Sequence, residues 1–430
     1  MERTARGAAP ARAARHFSIW LCILCLQACV APRHIHELGD TLPTMGAERA
    51  LALLDDYTPP LRDYPQYLLD RGMLHFYLGD FAASIEDWQQ AKALLADTQA
   101  LSLSETAGAL TINETLRSYA GSPHERVALH SFLALSYLGL GDLAGARVEV
   151  LQADVLMRQL SSESVLRGNL AAARYIGGVV FELNGEQDDA LISYRKARAI
   201  LQENRRPIPD ALKASLDRLE EADNAPRRTT SRQQHSLFVF YFDGVVTSMR
   251  QHHLPIFAPE LNQLVQIALP YYPPVRHSTG HLRVGAEGQT YGTETITDFD
   301  ALARADLDAR MPGIIAVTTA RAVAKYQSVR AAQKEDEMAG LFLNLFTLAT
   351  EWADTRSWRT LPATLQILRL PLPDDPVIKL VNGNLGIDTT ADGRNTVVIT
   401  SSLNRDSPTV QAFQPPATGR HPIIERGLEP

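Results

Sequence analysis

Three glycines at positions 79, 141 and 185 constrain this chain more than any other feature, because the same residue pattern follows each of them. Gly79-Asp80-Phe81 is followed by Ser84, Trp88 and Ala91; Gly141-Asp142-Leu143 by Ala146, Val150 and Ala153; Gly185-Glu186-Gln187 by Ala190, Tyr194 and Ala197. Each glycine is thus followed by a small residue five positions on, a bulky apolar one after nine and alanine after twelve. Gly72, Ala134 and Gly178 stand seven residues before the three glycines. Glycine opens a turn between two antiparallel helices, the small residues let those helices approach, and the bulky residue fills the space between pairs.

This phase resembles that of tetratricopeptide (TPR) repeats over residues 64–202. The glycines lie 62 and 44 residues apart rather than at the 34-residue tandem interval, so insertions are expected around 96–124 and 158–170. A helix from Gly46 to Leu54 is expected to cap the array. TPR arrays bind partners on a concave face built from first helices. Here that face would present Met73, Phe76, Tyr77, Tyr175 and Glu182, unless the C-terminal domain covers some of them.

The first 28 residues have the form of an export signal. Arg3, Arg6, Arg12 and Arg15 precede an apolar stretch, Phe17 to Leu26, which is about half the length needed to span a bilayer. The stretch ends in Leu26-Gln27-Ala28-Cys29, which resembles a bacterial lipobox, with Gln27 a less usual second residue. The resemblance implies cleavage between Ala28 and Cys29, acylation of Cys29, and a membrane anchor in the cell envelope. Val30 in the following position implies the outer membrane, the inner membrane being the alternative. Cys22, Cys25 and Cys29 have a metal-like spacing, but two of them lie inside the apolar export segment. Without residues 1–28 the chain carries 38 basic and 48 acidic side chains, a formal −10, which disfavours a nucleic-acid partner.

Beyond a basic connector (223–234) the texture becomes mixed. Leu237–Phe242, Leu365–Leu370, Val377–Val381 and Thr396–Thr400 have strand composition, and His281–Ala286 with Gly292–Thr297 is expected to form a strand pair. Tyr271 and Tyr272 fall in a proline-rich stretch expected to be an exposed loop. Asp298–Arg310 is expected to be one helix, Pro312 to start another, and Met338–Trp352 to be a buried helix. The expected fold class is therefore α plus α+β: a TPR-like helical domain (44–222), then a mixed α/β domain (235–403). A tether (29–43) precedes them and a flexible, proline-rich tail (404–430) follows.

No catalytic constellation emerges. Ser193 and Lys196 have S-x-x-K spacing without companion motifs, and Tyr194 between them already serves the repeat. His252-His253 and the pair His277/His281 lack a helix that would align them on a metal. The stretch from Asp388 to Ile399 lacks the glutamate that ends a calcium loop. No cofactor, metal site or enzymatic activity is therefore expected. Ala353-Asp354-Thr355-Arg356-Ser357-Trp358 followed by Leu361-Pro362, with the lipobox and the Tyr137–Asp142 turn, resembles a family of uncharacterised bacterial lipoproteins with TPR-like repeats. That resemblance implies a non-enzymatic protein-binding scaffold facing the periplasm, with a periplasmic or outer-membrane protein as partner and a link to peptidoglycan or envelope assembly. Asp354 and Arg356 are expected to pair and Trp358 to pack. The alternative is an envelope enzyme or glycan-binding protein with its site around Tyr271, Tyr272, Asp354 and Arg356.

Overall fold

The computed structural model describes residues 35–414 apart from 36, 105–117, 162–169, 225–234, 259–262, 276–279, 287–288, 336–351, 373–376, 381–385 and 389–393. The lipobox with Ala28 and Cys29, the basic connector from 225 onward, His277, the expected helix of 338–352 except Trp352, and the chain after 414 lie outside these residues.

Helices α1 (Leu38–Met45) and α2 (Ala47–Asp55) come first, joined at Gly46, whose φ of 82° is open to glycine. The expected capping helix is α2. The expected tether is shortened by α1, because Ile35, Leu38 and Leu42 are buried in the core. A 3₁₀ turn (Leu61–Asp63) leads into three helical hairpins: α3 (Tyr64–Leu78) with α4 (Phe81–Ser104), α5 (Pro123–Gly139) with α6 (Leu143–Ser161), and α7 (Ala171–Leu183) with α8 (Gln187–Glu203). Helix α9 (Asp210–Asn224) follows.

Gly79, Gly141 and Gly185 sit in the hairpin turns with φ of 79°, 76° and 80°. In each turn the next amide donates back to a carbonyl of the preceding helix, as Asp80 N does to His75 O, Asp142 N to Tyr137 O and Glu186 N to Phe181 O. The small residues lie where helices touch. A Cβ on Gly72 would come within 2.5 Å of the Trp88 ring, and one on Gly178 within 2.3 Å of the Tyr194 ring.

The second half supplies a five-stranded sheet in the order β11-β10-β1-β7-β6. Its strands are β1 (Ser236–Asp243), β6 (Glu294–Asp298), β7 (Thr364–Pro371), β10 (Asn395–Ser401) and β11 (Asn404–Phe413). Strand β1 runs parallel to β10 and antiparallel to β7. All eight of its residues are buried, as a central strand covered on both faces requires. Phe238, Phe240 and Phe242 point into the helices, while Leu237, Val239 and Tyr241 form a second cluster with Val284 and Leu368. Because α5, α7 and α9 lie against the sheet, one apolar cluster runs from Ile35 to Phe413, through helices and sheet alike. Helical and mixed halves therefore share a core.

Several expectations are corrected. The tail does not begin at 404: β11 pairs with β10 and lies across the hairpin turns, with Thr409 beside Gly79 and Gln411 beside Gly141. Pro312 does not start a helix but lies inside α10 (Phe299–Glu335), where the carbonyl it frees belongs to Asp308, an exposed residue one turn earlier. The segments near 281–286 and 292–297 are strands that meet only at their near ends, where Arg283 pairs with Gly292 and Thr293 N donates to Leu282 O: β4 (Arg283–Ala286) otherwise pairs with β5 (Gln289–Gly292) and β8 (Val377–Leu380), whereas β6 pairs with β7. Strand β8 also pairs with β9 (Gly386–Asp388). Tyr271 does not lie in a loop but ends β3 (Gln263–Tyr271), which forms a ribbon with β2 (Arg250–Ala258) and packs Ile267 and Leu269 against Ala322 of α10. Pro255 and Pro270, each in a two-stranded ribbon, conceal this pair from a periodicity reading.

Candidate functional site

First helices α3, α5 and α7 turn their inner face toward the sheet, so a partner on that face would meet Met73, Phe76, Tyr77, Tyr175 and Glu182. All five are buried, and the chain's own C-terminal half meets Phe76, Tyr77, Tyr175 and Glu182. Phe76 touches Phe242 at 5.2 Å between ring centroids, and Tyr175 touches Phe240 at 6.1 Å. Glu182 is enclosed by a cage of donors. Arg369 of β7 meets it in two bonds (3.0 and 2.7 Å), Tyr194 Oη donates to it at 3.0 Å, and Arg218 is a further ion partner. Burial works against the Arg369 charge, but Glu182 outweighs it and raises the arginine's pKa. The inner face is thus an internal interface.

Its occupant over α3 and α5 is a strap without regular secondary structure, residues 353–363, which carries the Asp354–Trp358 segment and turns at 359–360. Arg356 meets Asp354 in two bonds (2.9 and 2.7 Å) and reaches Asp63 at the foot of α3 (3.0 Å). Burial lowers the Arg356 pKa, yet Asp354 and Asp63 reverse this and raise it. Trp358 is fully buried, 5.8 Å from Trp88 and 5.7 Å from Phe132 between centroids, so the expected pairing and packing are both present.

Helix side chains bind the strap's backbone as a groove binds a peptide. Gln66 Nε2 donates to Ser357 O (2.5 Å), Trp358 N to Glu125 Oε1 (2.7 Å), Thr360 N to Asp70 Oδ1 (3.1 Å), and Tyr77 Oη to Thr360 O (2.9 Å). Arg359 completes the anchorage with an ion pair to Asp70 at 2.6 Å and a bond to Ile35 O, also 2.6 Å. Asp70 is wholly buried; desolvation pushes its carboxyl up, against the pull of Arg359. Asp70, Arg359 and Glu125 were absent from the sequence-derived candidates. Asp70 had a legible signal, since it lies three and seven residues before Met73 and Tyr77, a charge on the face that those apolar residues mark as buried.

At the strap's open end lies a cleft of about 110 Å³, lined by Ile35, Tyr57, Pro59, Tyr67, Ser248 and Thr355 among others. The Ser248 hydroxyl is buried there without a hydrogen-bond partner. Tyr271 and Tyr272 do not join this cleft: the Tyr271 ring lies tilted at 56° against His252, 4.8 Å between centroids, and Tyr272 sits under Arg304. His281 is held by Thr293 O and Gln366. Among the described residues no group of three His, Cys, Asp or Glu side chains is placed to hold a metal, and no helix is long and apolar enough to cross a membrane.

No protein-family model matches the chain, and no characterised protein matches it in sequence.

Proposed function

We propose that this protein is a lipid-anchored, non-enzymatic scaffold of the bacterial envelope, with a TPR-like helical layer that binds a protein partner through its outer rather than its inner face. One observation carries the reading. The inner groove is occupied by the chain's own strap, whereas the outer helices leave an apolar stripe open. Val148, Leu151 and Val155 follow one another along one side of α6, and Ile192 is the α8 counterpart of Val148, seven residues after its repeat glycine; all four are 41–50% exposed. Exposed apolar side chains at matching positions of two outer helices are the chemistry of a docking face. Asp354, Arg356 and Asp63 bind one another and fix the strap to the foot of α3.

The anchor would be Cys29, in the outer membrane if Val30 acts as the lipobox resemblance implies. Photo-crosslinking residues placed at Val148 and Ile192 in the lipidated chain in cells should give the same discrete adduct, while one at exposed Lys213 should give none. The absence of any adduct from the stripe would refute this assignment. A second reading, a site for a small glycan or similar ligand, is favoured by the unpartnered Ser248 hydroxyl in the cleft. Calorimetric titration with a soluble N-acetylglucosamine oligomer, repeated on Ser248→Trp, tests it; heats that are equal in both proteins count against it.

A further inference from the structure

If Cys29 carries lipid, as proposed above, the folded body begins very close to the bilayer. Ile35 is 4% exposed, belongs to the main core and is held through its carbonyl by Arg359, which is itself paired to buried Asp70. Only six residue steps separate Cys29 from Ile35. Six residues at full extension reach about 20 Å. A globule of this chain's size has a radius of gyration of about 21 Å. The tether is therefore no longer than the body's own radius, and the surface around Ile35 has to face the lipid.

That surface has the chemistry of an interfacial contact. Tyr57 and Pro59 line the cleft together with Ile35. Leu61, on the 3₁₀ turn two residues beyond Pro59, is 90% exposed, the most exposed large apolar side chain among the described residues. Trp352, three residues before the cleft residue Thr355, is 57% exposed. Aromatic and aliphatic side chains of this kind settle at the headgroup boundary. The arginines nearby, Arg62 and Arg250, are paired with Asp63 and Asp40. Contact through apolar insertion fits these residues better than attraction to anionic lipid.

We infer that the face formed by Tyr57, Pro59, Leu61 and Trp352 lies flat on the bilayer that holds the anchor, so that the protein is a membrane-apposed body and not one on a long leash. The mature chain supplies its own probe. Trp20 precedes the cleavage point, and Trp88 and Trp358 are fully buried, so Trp352 is the exposed one of three mature tryptophans.

The lipidated chain, purified in detergent and reconstituted into phosphatidylcholine vesicles, is compared with vesicles whose lipids are brominated high in the acyl chain. Bromine should remove roughly a third of the tryptophan emission, the share of one indole seated at the interface. The loss should persist in high salt, vanish in Trp352→Phe, and shrink in Leu61→Asp without loss of flotation. Flotation with unquenched Trp352 would overturn the apposed face while leaving the anchor intact. A chain that fails to float at all, or a Cys29→Ser chain that floats equally well, would overturn the anchor and this inference with it.

Discussion

Replacing Glu182 by glutamine tests whether that residue serves a partner or holds the two halves together. Glu182 and Arg369 are both nearly inaccessible, with side chains 5% and 4% exposed, and they meet in two hydrogen bonds. With glutamine there, Arg369 keeps one amide-oxygen acceptor, the hydroxyls of Ser215 and Ser236 (both 2.9 Å) and the face of Phe238, 4.8 Å from its guanidinium carbon, but all of these are neutral. No anion would then compensate its charge. Arg218, about a third exposed, can turn to solvent and adds little to the cost.

Breaking a buried ion pair from one side costs about 3–5 kcal/mol, because the stranded charge remains desolvated. For a body of roughly 300–400 residues, each kcal/mol moves the melting temperature by about 1.2–1.6 °C. Glu182→Gln should therefore melt about 4–8 °C below the parent when followed by far-ultraviolet circular dichroism. The double variant Glu182→Leu with Arg369→Met removes both charges and should recover most of that loss, since replacing a whole buried pair by apolar groups is often neutral. A single variant within about 1 °C of the parent, or a double variant worse than the single, would refute the assignment of Glu182 to an internal interface.

Two glycines should respond oppositely to alanine. Gly178→Ala drives a methyl group into the Tyr194 ring and should destabilise by about 1–3 kcal/mol in chemical denaturation, whereas Gly313→Ala, in open space on α10, should stabilise by about 0.5–1 kcal/mol. Equal effects would remove the close-approach explanation for the repeat glycine. Acid should weaken the helical layer through Glu149. Burial raises that carboxyl, but His130 (2.7 Å) and Lys92 (2.7 Å) more than offset it, so its pKa lies below the ordinary 4.5. Its stabilising contribution is present above pH 4.5 and is lost as pH falls through the lowered value. Denaturant midpoints measured from pH 7 to pH 3 should fall more steeply for the parent than for Glu149→Gln, and parallel profiles would exclude the mechanism.

The helical layer was legible because its signal is local. A left-handed turn at Gly79, Gly141 and Gly185 and a small residue under Trp88 or Tyr194 are demands that one hairpin makes of its own sequence. The strands of the sheet were legible one by one, for β-branched and aromatic runs declare themselves, but their partners were not. Strand β1 pairs with β7 and β10 across more than a hundred residues, and no spacing encodes that. Strand β11 was hidden by Pro408 and by the prolines that follow it, and the β2–β3 ribbon by Pro255 and Pro270. The strap shows where the limit lies. Its internal pair, Asp354 with Arg356, could be anticipated from two residues of separation. Its seat on Asp70, Gln66 and Glu125 could not, because it depends on how the helical hairpins meet a segment some 230–290 residues away.

Trp358 and β11 set a timetable for a chain that enters its folding compartment N-terminus first. The helices of residues 64–203 can form early, yet the groove between them stays open to water until residue 358 arrives, and the sheet lacks an edge until residue 413. Long-range closures of this kind come late in folding and leave the early species short of its core. A chain of this design cannot lock shut before β11 has arrived.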